Sequence, residues 1–409
     1  MKTDDYANQS NEKMLFLYNK LTGMAPYTHE FVPGHLDSQM LSGFVSAMSS
    51  FMEEMTGAEQ HQWKTVYGSD TILLVEASDW MVSVLAVVQE TREYRSKLRR
   101  IVKEYEQAFA HLKNADGIEG GIFNEFDKYV QRVFVGDKLN ERTLILKGDD
   151  CMELLTSMEG KPCSSEFNSF LTKVSDGQTI QEYIIESDSD STLVKELISE
   201  AVWRNLLYLH FIPMDNDIME LSTGSSSIIF SSENPLQIPH QSLEVITALD
   251  GRKPLLQFIG GLSTSKNERL IIDLGNLCNL GYLSRVPIEQ KFLLLNECIL
   301  TRFYLKMKDA LDEETVTSLF TDVRSKVIKA HSWAGRINLE GDGRIKTYFE
   351  STATPHDLEM ISDALDAHLL ESVTACSEKL GLTEVKRILH ECTNACNNDW
   401  RDFFDDVLL

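Results

Sequence analysis

Three residues with metal-binding chemistry stand close together near the end of the sequence: His390, Cys392 and Cys396. An imidazole and two thiolates suit zinc, but a structural zinc site takes four ligands. On a helix, Val385, Leu389, Cys392 and Cys396 repeat at i, i+4, i+7 and i+11 and share one face. His390 points about 160° away from Cys392. The three cannot converge on one ion, so the spacing predicts core cysteines rather than a metal centre.

A second grouping, His331, Trp333 and Arg336, stands beside "EGDGR" (Glu340–Arg344). A titratable imidazole among aromatic and cationic side chains is the kind of set that lines a small active site. The acidic run has calcium-loop residues without the spacing or the closing Glu. "GLSTSKNE" (Gly261–Glu268) has the composition of a phosphate loop but not its G-x-x-x-x-G-K-[ST] order. No G-x-G-x-x-G after a strand, no G-x-S-x-G and no H-E-x-x-H occurs. The sequence therefore predicts no cofactor, no metal and no catalytic role. The enzyme reading it leaves open is a site near His331–Arg344 assembled from distant residues, marked by a deep polar pocket.

Composition narrows the partners. Lys and Arg total 39 and Asp and Glu 63 in 409 residues, a formal net charge of −24. Such a charge works against non-specific binding to nucleic acids and anionic membranes, so nucleic acid is not an expected partner. A chain of this length, 43% apolar and 25% charged, suggests about two to four globular domains. No apolar run reaches the roughly 18 residues of a membrane span. "MKTDDYANQSNEK" lacks the basic-then-apolar order of a signal peptide. The seven cysteines, Cys151, Cys163, Cys278, Cys298, Cys376, Cys392 and Cys396, are odd in number and read as free thiols in a reducing cytoplasm.

The elements that must position these residues follow from periodicity and turns. Met14–Asn19 and Pro26–Val32 read as a hairpin about Gly23. Asp37 caps a helix whose apolar residues, Met40, Leu41, Phe44, Val45, Met48, Phe51, Met52 and Met55, cover an arc of roughly 140° before Gly57. Its centre (Met40, Phe44, Met48, Phe51, Met55) is expected to pack on a sheet. Its shoulder (Leu41, Val45, Met52) is left for a later helix or for a partner, since Met-rich surfaces suit adaptable binding. Three strands follow, at 63–67, 71–76 and 81–89. A helix then starts near Thr91 with a stripe of Tyr94, Leu98, Ile101, Val102, Tyr105, Phe109 and Leu112. A third helix carries Ile122, Phe126, Tyr129, Val130 and Val133 after Gly120–Gly121. The cluster Arg92, Arg95, Lys97, Arg99, Arg100 and Lys103 reads as a solvated face paired with Glu93, Glu104 and Glu106, or as a contact for an acidic partner or a lipid headgroup.

This order of hairpin, helix, three strands and two helices, carried by "LFLYNKLTGMAPYTHEF", "QMLSGFVSAMSSFMEEMTG" and "VYGSDTILLVE", resembles the longin-like and roadblock-like modules. The opening hairpin favours longin, and the likeness covers about a third of the chain. It implies an α/β sandwich acting as a platform that binds small GTPases, pairs with a sister module, including a second copy, or holds a peptide in a helix–strand groove.

Residues 172–209 lie over 246–283 without a gap at an offset of 74. Asp176–Gly177 falls on Asp250–Gly251, Ile198 on Ile272, and Tyr208–Leu209 on Tyr282–Leu283. Each copy reads as helix, Asp-Gly turn, short helix, long helix, then a β wing, with Ser225–Ser232 as a further wing strand. The pattern resembles a winged-helix fold, in a prokaryotic or archaeal style. The candidate recognition helices balance Lys195 and Arg204 against Glu196 and Glu200, and Lys266 and Arg269 against Glu268 and Asp273. Neither offers the basic face that phosphates require. The acidic "IESDSDS" (Ile185–Ser191) reads as a solvated loop with serines open to phosphorylation.

The last third reads as helices interrupted at "GRINLEGDGRIKTYF", with a capping box at Thr354 and Asp357. Trp400, Phe403, Phe404 and Val407, at i, i+3, i+4 and i+7, read as a helix that lays an apolar face into its own domain or into a partner's groove. The expectation is an α+β multidomain protein: a longin-like α/β sandwich at 1–137, winged-helix-like repeats at 138–215 and 216–287, and a C-terminal helical domain at 288–409. Its expected role is a cytoplasmic, non-catalytic adaptor binding protein partners, a small GTPase or another longin or roadblock module, through Leu41, Val45, Met52, Trp400, Phe403 and Phe404. The alternative is a transcriptional or signalling regulator acting through the paired winged helices.

Overall fold

The computed structural model describes residues 11–34, 37–56, 61–68, 71–114, 123–148, 165–261 and 263–404. Features expected at Gly57, Gly120–Ile122, Cys151, Cys163 and Val407 lie outside the described residues, as do the side chains of Phe51 and Met55. Helices and small antiparallel sheets are mixed, and the chain divides into two compact units, Met1–Arg285 and Val286–Leu409.

The first unit opens with a five-stranded antiparallel sheet. Strands β1 (Glu12–Asn19), β2 (Tyr27–Glu30), β3 (Gln62–Tyr67), β4 (Thr71–Ala77) and β5 (Met81–Val87) stand in the order β2-β1-β5-β4-β3. All seven residues of β5 are buried, because both faces of the sheet are covered at its middle. Helix α1 (Ser38–Thr56) covers one face. Asp37 Oδ1 accepts from the amides of Gln39 and Met40 to start it. Helices α2 (Arg92–Ala108) and α3 (Asn124–Phe134) cover the other, where Leu98, Ile101, Val102, Tyr105, Phe126 and Val130 form the core with Leu15, Leu17, Leu74 and Leu85. Thr91 caps α2 by accepting from the Tyr94 amide.

Two smaller cores follow. The first contains β6 (Leu144–Lys147), α4 (Ser165–Lys173), β7 (Gln178–Thr179), α5 (Ile180–Ser187), α6 (Ser191–Trp203) and β8 (Leu207–His210). The second contains β9 (Met219–Leu221), α7 (Ser226–Ile229), α8 (His240–Ala248), α9 (Leu256–Ile259), α10 (Thr264–Asn279) and β10 (Leu283–Arg285). The two copies share the Asp-Gly turn, with Gly177 and Gly251 at φ +75° and +65°, a conformation glycine adopts without steric cost.

The structure changes the expected repeat in three respects. In each copy the middle strand precedes the first helix: β6 lies between β7 and β8, and β9 pairs with β10 while its neighbour Ile218 bridges to Pro254. Ser225–Ser232 is not a wing strand. Gly224, at φ +81°, turns the chain into the short helix α7, with i→i−4 bonds from Ile229 and Phe230. Three consecutive apolar residues give no period-2 alternation, and Ile229 alone enters the core. The gapless overlay also fails at its end. The long helix has 13 residues in the first copy and 16 in the second, so the structural mate of Leu207 is Leu283 rather than Gly281.

The second unit contains four long helices: α11 (Ile288–Ala310), α12 (Glu313–Ala330), α13 (Pro355–Leu380) and α14 (Leu382–Trp400). The interruption is a hairpin of β11 (Ile337–Leu339) and β12 (Ile345–Thr347). Thr354 and Asp357 form the capping box of α13, with Pro355 in its first turn. The buried stripe of α13 passes through His368 and Ser372, which hydrogen-bond to each other at 3.2 Å, as well as Leu358, Ile361, Leu365 and Cys376. Among the described residues no helix is long and apolar enough to cross a membrane.

Candidate functional site

The basic run of α2 is divided: Lys103 is exposed and Arg99 and Arg100 are half-buried, while Arg92, Arg95 and Lys97 are held inside the fold. Arg95 and Lys97 are buried, at 4% and 2% exposure. The Arg95 guanidinium pairs with Glu90 at 2.8 Å and donates to the Trp63 and Val75 carbonyls, tying α2 to the β3–β4 edge of the sheet. Glu106, expected to pair along the helix, instead accepts from the amides of Trp80 and Met81 and holds the β4–β5 turn.

The opposite flank of α2 faces the second repeat. Arg92 pairs with Glu220 on β9 at 2.8 Å, and Glu93 accepts from Arg285 on β10 at 2.9 Å. Arg285 also donates to the Asp137 carbonyl and lies over the Phe211 ring. Lys97 Nζ sits 3.0 Å from Glu93 and 3.5 Å from Asp137 but outside hydrogen-bond angles, so it acts there as a buried point charge. Burial by itself raises the Glu93 carboxyl. Lys97 and Arg285 outweigh it and hold that carboxyl well below the usual carboxylate range. Lys138 pairs with Glu12 in the same way, and that carboxyl too is held low against its burial. Gly281 fits tightly here: a Cβ on it would stand 2.2 Å from the Asn11 side chain.

The first repeat is fastened at the other end of the sheet. His29 of β2 stacks on Trp203 at 3.4 Å, Trp203 Nε1 and the Tyr27 hydroxyl both donate to Asp127 of α3, and Asn205 donates to the Glu30 carbonyl. Burial pushes the His29 imidazole down to about 3. A cleft of about 120 Å³ runs along these seams, its wall including His29, Glu93, Lys97, Trp203, Ser284 and Arg285. Its carboxylates and cations already face one another, and its two histidines, His29 and His210, are held neutral by burial. The cleft is a polar junction between packed parts of the first unit.

The outer face of α1 differs. No charged residue occurs in this helix before Glu53. The expected shoulder joins the sheet-facing side: Phe44 and Met48 of the expected centre also pack against the sheet core, and Met40 turns outward. Leu41 and Val45 are fully buried against Phe16, Val75 and Val84, and Met52 is partly buried beside them. Leu41 and Val45 therefore offer no surface to a partner. Ser42 is buried as well, its hydroxyl donating to the Gly23 and Gln39 carbonyls. The aliphatic pair and a serine with its own local partners turn the helix, leaving Met40 59% exposed with Gly43, Ala47 and Ser50 on the outside. Next to α1, β3 is the open edge of the sheet, whereas the β2 edge is occupied by Trp203 and Asn205.

The remaining candidate residues are placed plainly. On α6, Arg204 pairs with Glu200 at 2.5 Å and lies over Phe167. On α10, Asp273 accepts from Ser242. In the second unit, His331 is exposed and does not line the adjacent cleft of about 80 Å³, where Arg336 lies over Trp333. Asp342 accepts from Arg344 within the hairpin turn. The C-terminal aromatic set does not continue as a helix past Trp400. A 3-10 turn brings Phe404 against Phe292 at 4.9 Å, with Trp400 beside Phe403. Lys291 donates to the Phe403 carbonyl, and Phe404 is 9% exposed, so these residues dock on their own unit and are not a free motif. On α14, Cys392 is buried and His390 exposed, and no group of three or more metal-type ligands converges among the described residues. No protein-family model matches the chain, and no curated protein sequence is significantly similar to it.

Proposed function

We propose that this chain is a non-catalytic adaptor that binds protein partners through the outer face of α1, the partner being a small GTPase or a second module of the same strand–helix order. The observation that carries this reading is the outer face of α1, uncharged before Glu53, with Met40, Gly43 and Ala47 exposed in a chain of net charge −24. A solvated helix face ordinarily carries charge. A face of small and apolar residues permits close approach of a flat surface. The hairpin–helix–three-strand–two-helix order and its resemblance to longin-like modules support the same reading. The regulator alternative, through the paired repeats, has less support, because Arg204 and Asp273 of the two long helices are engaged inside their own repeats.

The test uses the full chain carrying a photo-crosslinking side chain at position 47, with Leu370 of the second unit, 67% exposed, as the control position. Illumination in lysate is expected to capture a GTPase or another module from position 47 and not from position 370, and Met40→Glu with Gly43→Glu is expected to abolish that capture. A dimer-mass product from the purified protein alone identifies a second copy as the partner. Equal, scattered capture from both positions would overturn the proposal.

A further inference from the structure

In the second unit, α11 and α14 bring two thiols together. Cys298 Sγ and Cys396 Sγ lie 3.0 Å apart, although the residues are separated by 98 positions in the chain. Cys298 is partly exposed and Cys396 fully buried. Their surroundings are not those of inert core cysteines, which sit among apolar side chains. Arg302, one turn beyond Cys298 on α11, is paired with Asp399 of α14. Cys392 lies one turn before Cys396.

We propose that Cys298 and Cys396 form a redox-active dithiol that exchanges with small disulfides, with Cys298 as the attacking sulfur and Cys396 as the resolving sulfur. The asymmetry of the pair sets the order. Cys298 is the partly exposed sulfur, with the Arg302 guanidinium one turn away, and the contact with Cys396 and that positive charge lower the pKa of its thiol. Cys396 is fully buried, and Cys298 beside it together with that burial raises the pKa of its thiol. In the first step the Cys298 thiolate attacks one sulfur of a disulfide R–S–S–R. A Cys298–S–S–R bond forms, the original S–S bond breaks, and R–S⁻ leaves to take up a proton. In the second step Cys396 loses its proton and attacks Cys298 Sγ, releasing the second R–S⁻. The two cysteines give up two electrons and two protons, and R–S–S–R becomes two R–SH. Sulfurs already in contact need close by only about 1 Å to reach bonding distance. The product bridges the first and last helices of the unit and closes a loop of nearly a hundred residues, so it is expected to raise the melting temperature of the second unit by roughly 10 °C.

The full chain is incubated in glutathione mixtures from fully reduced to fully oxidised, quenched in acid and mapped by peptide mass. The wild type is expected to yield a Cys298–Cys396 disulfide, and Cys396→Ser a stable glutathione adduct on Cys298. Limited alkylation of the untouched wild type supplies a readout independent of any variant's folding: Cys298 is expected to react about tenfold faster than Cys376 or Cys278. Recovery of both sulfurs as free thiols across all mixtures would overturn the proposal. Alkylation of Cys298 no faster than of Cys376 would remove its attacking role, as would adduct formation on Cys396 at the wild-type rate in Cys298→Ser.

Discussion

Helices α1 and α2 lie on opposite faces of one sheet and use charge in opposite ways. The helix without charge before Glu53 turns a small, apolar face outward. The helix richest in charge buries Arg95 and Lys97 and directs Arg92 and Glu93 at the second repeat. Charge on a helix marks solvent exposure only when no counter-charge arrives from elsewhere in the fold. In α2 the counter-charges arrive from Glu90, Glu220 and Arg285. A buried pair is specific rather than strongly stabilising, yet removing one member strands the other.

The comparison can be broken at several points. The largest effect is expected from Glu93→Gln, which leaves Lys97 and Arg285 facing each other with only the more distant Asp137 carboxylate between them. Urea unfolding of the first unit should show a loss of about 3–5 kcal/mol, and a loss below about 1 kcal/mol would mean that these charges reach water. Next comes a pair of adjacent truncations on α1. Leu41→Ala should cost about 2–5 kcal/mol, while Met40→Ala should stay within about 0.5 kcal/mol. Equal costs would contradict the observed rotation of the helix.

Acidification sharpens the contrast further. The folded-state value of His29, about 3, lies below its ordinary 6.5, so the unfolded chain takes up the proton first. The contribution is complete above pH 6.5 and is lost as pH falls from 6.5 toward 3. Between pH 7 and 5 the loss attributable to this group is about 2 kcal/mol. His29→Phe, which keeps a ring against Trp203, should remove most of that slope in unfolding free energy, and an unchanged slope would place the titration elsewhere.

Much of the local structure was legible in the sequence. Asp37, Thr91 and the Thr354–Asp357 box start helices where their chemistry predicts, and the turns at Gly23 and Asp176–Gly177 fall where glycine is needed. In the arc of α1 the packing of Phe44 and Met48 was legible, but not the burial of Leu41 and Val45 or the exposure of Met40, because methionines fill both flanks and a buried serine is indistinguishable from an exposed one until its hydroxyl partners at Gly23 and Gln39 are known. The fate of the α2 charges was hidden for a different reason. Glu220 and Arg285 are 128 and 192 residues from their partners, and no periodicity encodes that distance. The thiol pair was hidden likewise: α14 alone shows Cys392 and Cys396 on a core face, and only the packing of α11 brings Cys298 to them.

The Glu93–Arg285 pair also sets a timetable for synthesis. Arg285 is the last residue of β10 and among the last of the first unit to leave the ribosome. Until it emerges, the α2 flank presents Glu93, Lys97 and Arg92 without the second repeat to receive them. The nascent sheet and its helices must therefore keep that flank hydrated, and open to chaperones, through the synthesis of both repeats. The Glu93–Arg285 contact is thus completed about 200 residues after the last strand of the five-stranded sheet has been made.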